Sequence, residues 1–209
     1  SSSAASDVYK RQVLGLAVAW VLVRSRIWGR GLLDALVMLP LAVPGLVMAF
    51  GYLALSQPGR PFAFLMGAGG DPALLLIVAY AFRRLPYIVR AAVAGLQQSN
   101  PVLEQAGQSL GAPAWRVLWR ISLPLISLNL VAGAVMAFAF AMLEVSDSLI
   151  LAQQAEHFPI TKAMYTLLGT LGNGTSLAAA LGVWAMLFLA TALIGAMKFA
   201  GKRGGLFRV

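Results

Sequence analysis

The sequence predicts an all-α, polytopic helical membrane protein, and three observations carry that prediction. Of its 209 residues, 60% are hydrophobic and only 11% are charged, against about 25% charged in soluble domains. The mean hydropathy is +0.81. Several apolar runs approach the ~20 residues that a helix needs to cross a bilayer. Because these runs are continuous, they favour helices over barrel strands, which alternate every second residue.

The runs place one transmembrane domain over residues 13–209. Pro86 favours a bend in the third run, and the connections 56–72 and 144–175 are expected outside the membrane. We interpret the polar tail 1–12 as non-native and the short first run as the end of a truncated helix. The predicted spans are 13–23 (partial), 32–55, 73–96, 121–143 and 177–199.

The net charge of +9 reports membrane topology rather than a nucleic-acid partner. Three alternate connections hold twelve of the sixteen basic residues, and the positive-inside rule places those connections and the carboxy terminus in the cytoplasm. The twelve are Arg24, Arg26, Arg30, Arg83, Arg84, Arg90, Arg116, Arg120, Lys198, Lys202, Arg203 and Arg208. We expect Arg83, Arg84 and Arg90 to hold lipid phosphates.

Little in the chain points to enzyme or metal chemistry. It has no cysteine and one histidine, His157, so the sequence predicts no catalytic residue, no metal site and no cofactor bound by this chain. The stretch Gly195–Arg203 departs from a phosphate-binding loop, because five residues separate its glycines and Arg203 stands where Ser or Thr would bind Mg²⁺.

Five residues are candidates for a transport pathway. Pro40, Pro44 and Gly45 interrupt the second run, either as a gating kink or as a static kink packed on its neighbours. Glu144 and Asp147 follow the fourth run. Acidic groups near membrane depth often line a pathway, and the alternative is a pair of solvated loop charges.

A polar segment between two apolar runs, residues 100–120, predicts a helical hairpin on the inner membrane face. Asn100 and Pro101 are suited to cap and start a helix, in whose first turn Glu104 would meet the helix dipole. Gly111 is placed to end that helix with a positive φ. Pro113 begins a second short helix, with an apolar stripe of Trp115, Leu118 and Trp119 opposite Arg116 and Arg120.

This hairpin resembles the coupling loop of permease subunits in binding-protein-dependent ABC importers. The family pattern is Glu-Ala-Ala, three residues, Gly, nine residues, Ile, one residue, Leu-Pro. Here Gln105 replaces the Glu and Gly107 the second Ala, while Glu104 stands next to the altered position. The resemblance implies contact with an ATPase through seven residues: Glu104, Gln105, Ala106, Gly111, Ile121, Leu123 and Pro124.

The resemblance covers roughly residues 13–200. Residues 33–45 are similar to the family's third span, residues 83–91 to the approach to its coupling loop, and residues 144–149 to the end of its fifth span, which adds Ser146 to the pathway candidates. The family branch that carries ferric iron, aminoethylphosphonate, polyamines or thiamine matches best, and ferric iron is the expected substrate. Fusion of two permease halves is common there, so the chain is expected to be one half of a longer polypeptide.

The resemblance implies that the chain adopts the type I transmembrane fold of ABC importers and lies in a bacterial cytoplasmic (inner) membrane. The chain would line half of the translocation pathway beside a second permease half, which is identical, homologous or fused. A cytoplasmic ATPase dimer would bind ATP and Mg²⁺, and a periplasmic or extracellular binding protein would deliver the substrate.

The residues leave one main alternative, an ion-coupled secondary transporter. Such proteins carry intramembrane carboxylates or broken helices for ion coupling. The middles of the predicted spans hold no acidic residue, which disfavours that class. A lipid-modifying membrane enzyme or a passive anchor would leave the hairpin pattern unexplained.

Overall fold

The computed structural model describes residues 15, 18–25, 28–67 and 71–204, with side chains up to residue 198. The tail 1–12 and parts of the first predicted span lie outside the described residues. No β-strand occurs within the described ranges, in agreement with an all-helical fold.

The helices are named here in chain order. They are α1 (residues 18–24), α2 (Arg30–Ala42), α3 (Gly45–Leu55), α4 (Ala73–Gln98), α5 (Pro101–Ser109), α6 (Ala114–Val117), α7 (Leu123–Leu125), α8 (Ser127–Met142), α9 (Ser146–Leu151), α10 (Ile160–Leu168) and α11 (Gly174–Gly204). A π-helical segment, Leu118–Ser122, joins α6 to α7, and short 3₁₀ turns cover Ala63–Leu65 and Ala155–His157.

One described helix, Gly174–Lys198, is by itself long and apolar enough to cross a membrane. Two bent pairs raise the number to three if each pair forms one span: α2 with α3, bent by 100°, and Ala114–Leu125 with α8, bent by 74°. Helix α4 is long enough at 26 residues, but its three arginines lower its hydropathy. The helix continues through Pro86 to Gln98, and both the bend expected at that proline and the four full spans remain predictions.

The chain packs as two compact units, each with its own apolar core. The first unit comprises residues 1–38, 85–137 and 196–209. Its core is formed by Ala19, Val37, Val89, Ala92, Leu96 and Ile126. Close helix packing here depends on Gly95, since an added Cβ would lie 2.8 Å from Cβ of Ile126.

The second unit comprises residues 39–84 and 138–195. Its core is formed by Leu65, Leu75, Leu76, Ala79, Leu151 and Ala152. Helices α3 and α9 pack against each other in this unit. Most side chains of α11 are exposed, as expected for a helix whose apolar surface faces lipid or another subunit.

Candidate functional site

The first arm of the hairpin begins as the sequence predicted. The Oδ1 atom of Asn100 accepts a hydrogen bond from the backbone N–H of Val102 at 3.0 Å, and Pro101 occupies the first helical turn. This cap satisfies one of the backbone donors that every helix start leaves free. Helix α5 therefore has a fixed starting point two residues after α4 ends.

The turn of the hairpin is also confirmed. Gly111 has a φ of +82°, in the left-handed region that glycine adopts most readily. The N–H of Gly111 donates to the carbonyl of Gln108 at 2.9 Å, and the N–H of Ala112 donates to the carbonyl of Gly107 at 3.1 Å. These two bonds form a Schellman motif, which fixes the angle at which the chain leaves α5.

The return arm packs directly on α5. An added Cβ at Gly107 would lie 2.7 Å from Cδ1 of Ile121, so the glycine at this family-variant position allows the two arms to approach closely. The π-helical segment that carries Ile121 is an uncommon conformation, often found at functional sites. Leu123 contributes to the first core, whereas Pro124 is exposed.

The outer surface of the hairpin is open to solvent and largely uncharged on α5. Exposed side chains there are Val102, Leu103, Gln105, Ala106, Gln108 and Leu110. On the return arm, Trp115, Trp119, Arg116 and Arg120 are exposed, while Leu118 packs against the core. The guanidinium of Arg116 lies 5.6 Å from the ring centroid of Trp115, so this arginine and the tryptophan form one cation–π surface.

Glu104 does not belong to that surface. Its residue is 5% exposed, and its carboxylate is held inside the first unit. Nε of Arg24 donates to Oε2 of Glu104 at 2.8 Å, and Oγ of Ser122 donates to Oε1 at 3.0 Å. Glu104 therefore offers no exposed charge in place of the family's glutamate at position 105.

The pathway candidates lie in the second unit, where some of them meet. Gly45 begins α3 after Pro44, and an added Cβ at Gly45 would lie 2.7 Å from Cβ of Ser146 and 3.2 Å from Nη1 of Arg83. The glycine thus allows α3 to approach α9. Pro40 lies inside α2, just before the 100° bend.

Glu144 and Asp147 form a buried ion-pair network with two arginines of α4. The Arg83 guanidinium donates to both carboxylate oxygens of Asp147, at 3.3 and 3.4 Å, and its Nε lies 3.7 Å from Oε2 of Glu144. Arg84 donates to Glu144 and to the carbonyl of Phe140. Burial raises the pKa of Asp147, and the Arg83 guanidinium opposes that rise.

This network corrects two interpretations. Arg83 and Arg84 were expected to hold lipid phosphates, but Arg83 is buried, Arg84 is partly buried, and both pair with carboxylates about 60 residues away in the chain. The alternative that Glu144 and Asp147 are solvated loop charges is also wrong, because both are at most 8% exposed.

A second buried cation fixes the other end of α9. Nζ of Lys162 donates to the carbonyl of Leu149 at 2.9 Å and to that of Ala152, and it lies 4.6 Å from the ring centroid of Phe158. Burial lowers the pKa of this ammonium group. Helix α9 is therefore held at both ends, by Arg83 at its start and by Lys162 at its last carbonyls.

Sequence reasoning missed Arg24, Ser122 and Lys162 as partners. The one available signal was that arginines inside an apolar run need buried counter-charges. It could have matched Arg83 and Arg84 with Glu144 and Asp147, the acidic pair that follows the fourth run.

Comparison with known proteins supports the resemblance. The family model for the inner membrane component of binding-protein-dependent transport systems matches residues 12–199. A molybdenum transport system permease protein of Haemophilus influenzae is 34% identical over 185 residues, which cover 82% of this chain and 78% of that protein.

Two further relatives are shorter matches. The sulfate transport system permease protein of Escherichia coli K12 is 37% identical over 130 residues, covering 60% of this chain and 47% of that protein. A ferric transport system permease protein of Actinobacillus pleuropneumoniae is 34% identical over 134 residues, covering 64% of this chain and 19% of that protein.

Proposed function

Because the chain belongs to the family of inner membrane components of binding-protein-dependent transport systems, we propose how this permease subunit of an ABC importer engages its partners and what it carries. The hairpin, residues 100–120 with its continuation to Pro124, docks on a separate ATPase. The transported substrate is a tetrahedral oxyanion of the molybdate or sulfate type.

The main support for docking through the hairpin is the contrast between the two faces of α5. On one face Glu104 pairs with Arg24 and Gly107 lies against Ile121, while Gln105, Ala106 and Gln108 are exposed. A capped helix whose open face carries polar, small and apolar side chains suits insertion into a groove on a partner. The Schellman turn at Gly111 keeps that helix at a fixed angle, so force applied to it reaches the rest of the unit.

The proposal of an oxyanion substrate is supported by how much of this chain the molybdenum permeases match. Two molybdenum permeases match 82% and 76% of this chain, and a ferric permease matches 64% of it, all three at 34% identity. Molybdenum in neutral, oxygenated water is the dianion molybdate, a tetrahedron like sulfate. Ferric iron, the substrate expected from the sequence, is the competing candidate. Attraction of a cation by Glu144 and Asp147 is weakened as an argument for it, because these carboxylates are paired with Arg83 and Arg84 and the cluster holds no unpaired negative charge.

Membership of the family also supports the remaining proposals. The hairpin and the carboxy terminus face the cytoplasm, an ATPase dimer binds ATP and Mg²⁺, and a binding protein delivers substrate from the other side. A second permease half, identical, homologous or fused, completes the pathway. Pro40, Pro44, Gly45 and Ser146 line or shape this chain's half of it.

Cysteine labelling tests the docking surface cleanly, since these 209 residues contain no cysteine. We expect the ATPase to protect Gln105→Cys and Gln108→Cys from a water-soluble maleimide, but not Arg60→Cys, which is exposed in another connection. Equal labelling of all three with and without the ATPase would contradict docking through α5.

Uptake assays test the substrate. The importer complex, with its ATPase and binding protein, is reconstituted in liposomes and supplied with labelled molybdate, sulfate or ferric citrate. ATP-dependent uptake of molybdate or sulfate supports an oxyanion importer, and uptake of iron alone would restore the ferric reading. Uptake driven by an ion gradient without ATP would instead indicate a secondary transporter.

A further inference from the structure

The only carboxylate of the hairpin points away from the surface expected to meet the ATPase. Glu104 is buried, whereas its neighbours Leu103 and Gln105 are exposed. A buried carboxylate needs a charged or hydrogen-bonding partner, because desolvation strongly disfavours an isolated ion. Its partners therefore indicate what this residue does.

Arg24, at the end of α1, provides the charge and links several elements at once. Its Nε and Nη2 atoms donate to the two Glu104 oxygens at 2.8 and 3.3 Å. The same Nη2 donates to the carbonyl of Leu96 and to Oγ of Ser99, both at 3.0 Å. Through Glu104, the network extends to Ser122 in the return arm at 3.0 Å.

The guanidinium of Arg24 thus connects α1 to the end of α4 and to α5. The carboxylate of Glu104, which Arg24 and Ser122 share, connects these helices to the return arm of the hairpin. Charge-assisted bonds of this kind hold geometry more strongly than neutral ones, and the planar guanidinium fork restricts the angle between its partners. A displacement of α5 must therefore either move α1 with it or break a partly buried ion pair.

We propose that Arg24 and Glu104 form a transmission joint: Glu104 is a positioning residue that passes movement of the hairpin to α1, and it is not an ATPase contact. The inference rests on the proposed docking of the hairpin. The two neighbouring residues then have different roles: Gln105 contacts the ATPase, and Glu104 contacts α1 and the return arm within the first unit.

The test uses the complete importer and separates attachment from coupling. Glu104→Gln should retain capture of the ATPase and basal ATP hydrolysis, while substrate transported per ATP hydrolysed falls on the order of tenfold. The double variant Arg24→Gln with Glu104→Gln should be no worse than either single variant, because both act through one joint. Gln105→Arg is the matched control and should lose capture instead.

Ser122→Ala is a milder variant that keeps both charges and removes one hydrogen bond to the carboxylate. It should lower transport per ATP in the same direction by a smaller factor, even if Glu104→Gln fails to fold. Loss of ATPase capture by a folded Glu104→Gln, or unchanged transport per ATP in both Glu104→Gln and Ser122→Ala, would overturn the joint. Failure of the parent itself to capture an ATPase would instead overturn the docking proposal.

Discussion

Both carboxylate oxygens of Asp147 accept hydrogen bonds from the guanidinium of Arg83, at 3.3 and 3.4 Å, although the residues lie 64 positions apart. The pair joins α9 to α4, and Asp147 is fully buried. In a buried pair, losing one charge leaves the other uncompensated, which is more damaging than the absence of both.

Replacing Asp147 by Asn should therefore destabilise the protein. We expect a loss of about 3 kcal/mol, at the lower end for a broken buried pair because Glu144 remains near Arg83. The midpoint of thermal unfolding in detergent should fall by roughly 5 °C or more. Asp71→Asn, at a more exposed carboxylate of the same unit, is the control, and equal midpoints for the two variants would contradict a structural role for the Arg83 pair.

Lys162→Met should also destabilise the second unit, but less. The change removes the donor for the carbonyls of Leu149 and Ala152 at the end of α9, while relieving the desolvation of a buried ammonium group. The net loss should be about 1 kcal/mol. Thermal unfolding beside Arg60→Met, an exposed cation, measures it, and a midpoint above that of the parent would show that burial of the charge outweighs its hydrogen bonds.

Gly133→Ala tests the packing of α8 on α4 in the first unit. The added Cβ would lie 2.5 Å from Cβ of Ala91 and 3.2 Å from the carbonyl oxygen of Tyr87, so backbone must shift. Overpacking of this kind costs about 1–3 kcal/mol. Gly51→Ala in α3 meets nothing within 4 Å and should be neutral or stabilising. A Gly133→Ala protein as stable as Gly51→Ala would contradict the close approach.

Gln105→Glu restores the residue of the family pattern on the exposed face of α5. Because Glu104 points inward, the new charge would be the only carboxylate on that face. Capture of the ATPase should stay intact or strengthen by up to about 1 kcal/mol. Gln108→Glu places the same charge one turn away and controls for charge alone. A clear loss of capture in Gln105→Glu only would mean that this hairpin docks differently from its relatives.

Local chemistry predicted the hairpin well. Asn100, Pro101 and Gly111 act through their own backbone and its nearest neighbours, so a helix start and a positive φ could be predicted from sequence alone. The contacts of Glu104 could not, since its orientation depends on Arg24, 80 residues away. For Arg83 and Arg84, the sequence could indicate a need for acidic partners, but the individual pairs and their geometry are set by packing between helices distant in the chain.

The most direct test of the central claim is capture of an ATPase by the solubilised parent protein, beside Gly111→Val and Gly111→Asn. Valine cannot adopt the φ of +82° without strain, asparagine tolerates it, and no atom lies within 4 Å of the added Cβ, so only the turn is changed. We expect the parent to capture the ATPase, asparagine to retain most of that capture, and valine to lose it while still inserting in the membrane. A well-folded parent that captures no ATPase, or equal losses of attachment and insertion in the valine variant, would contradict coupling through this hairpin.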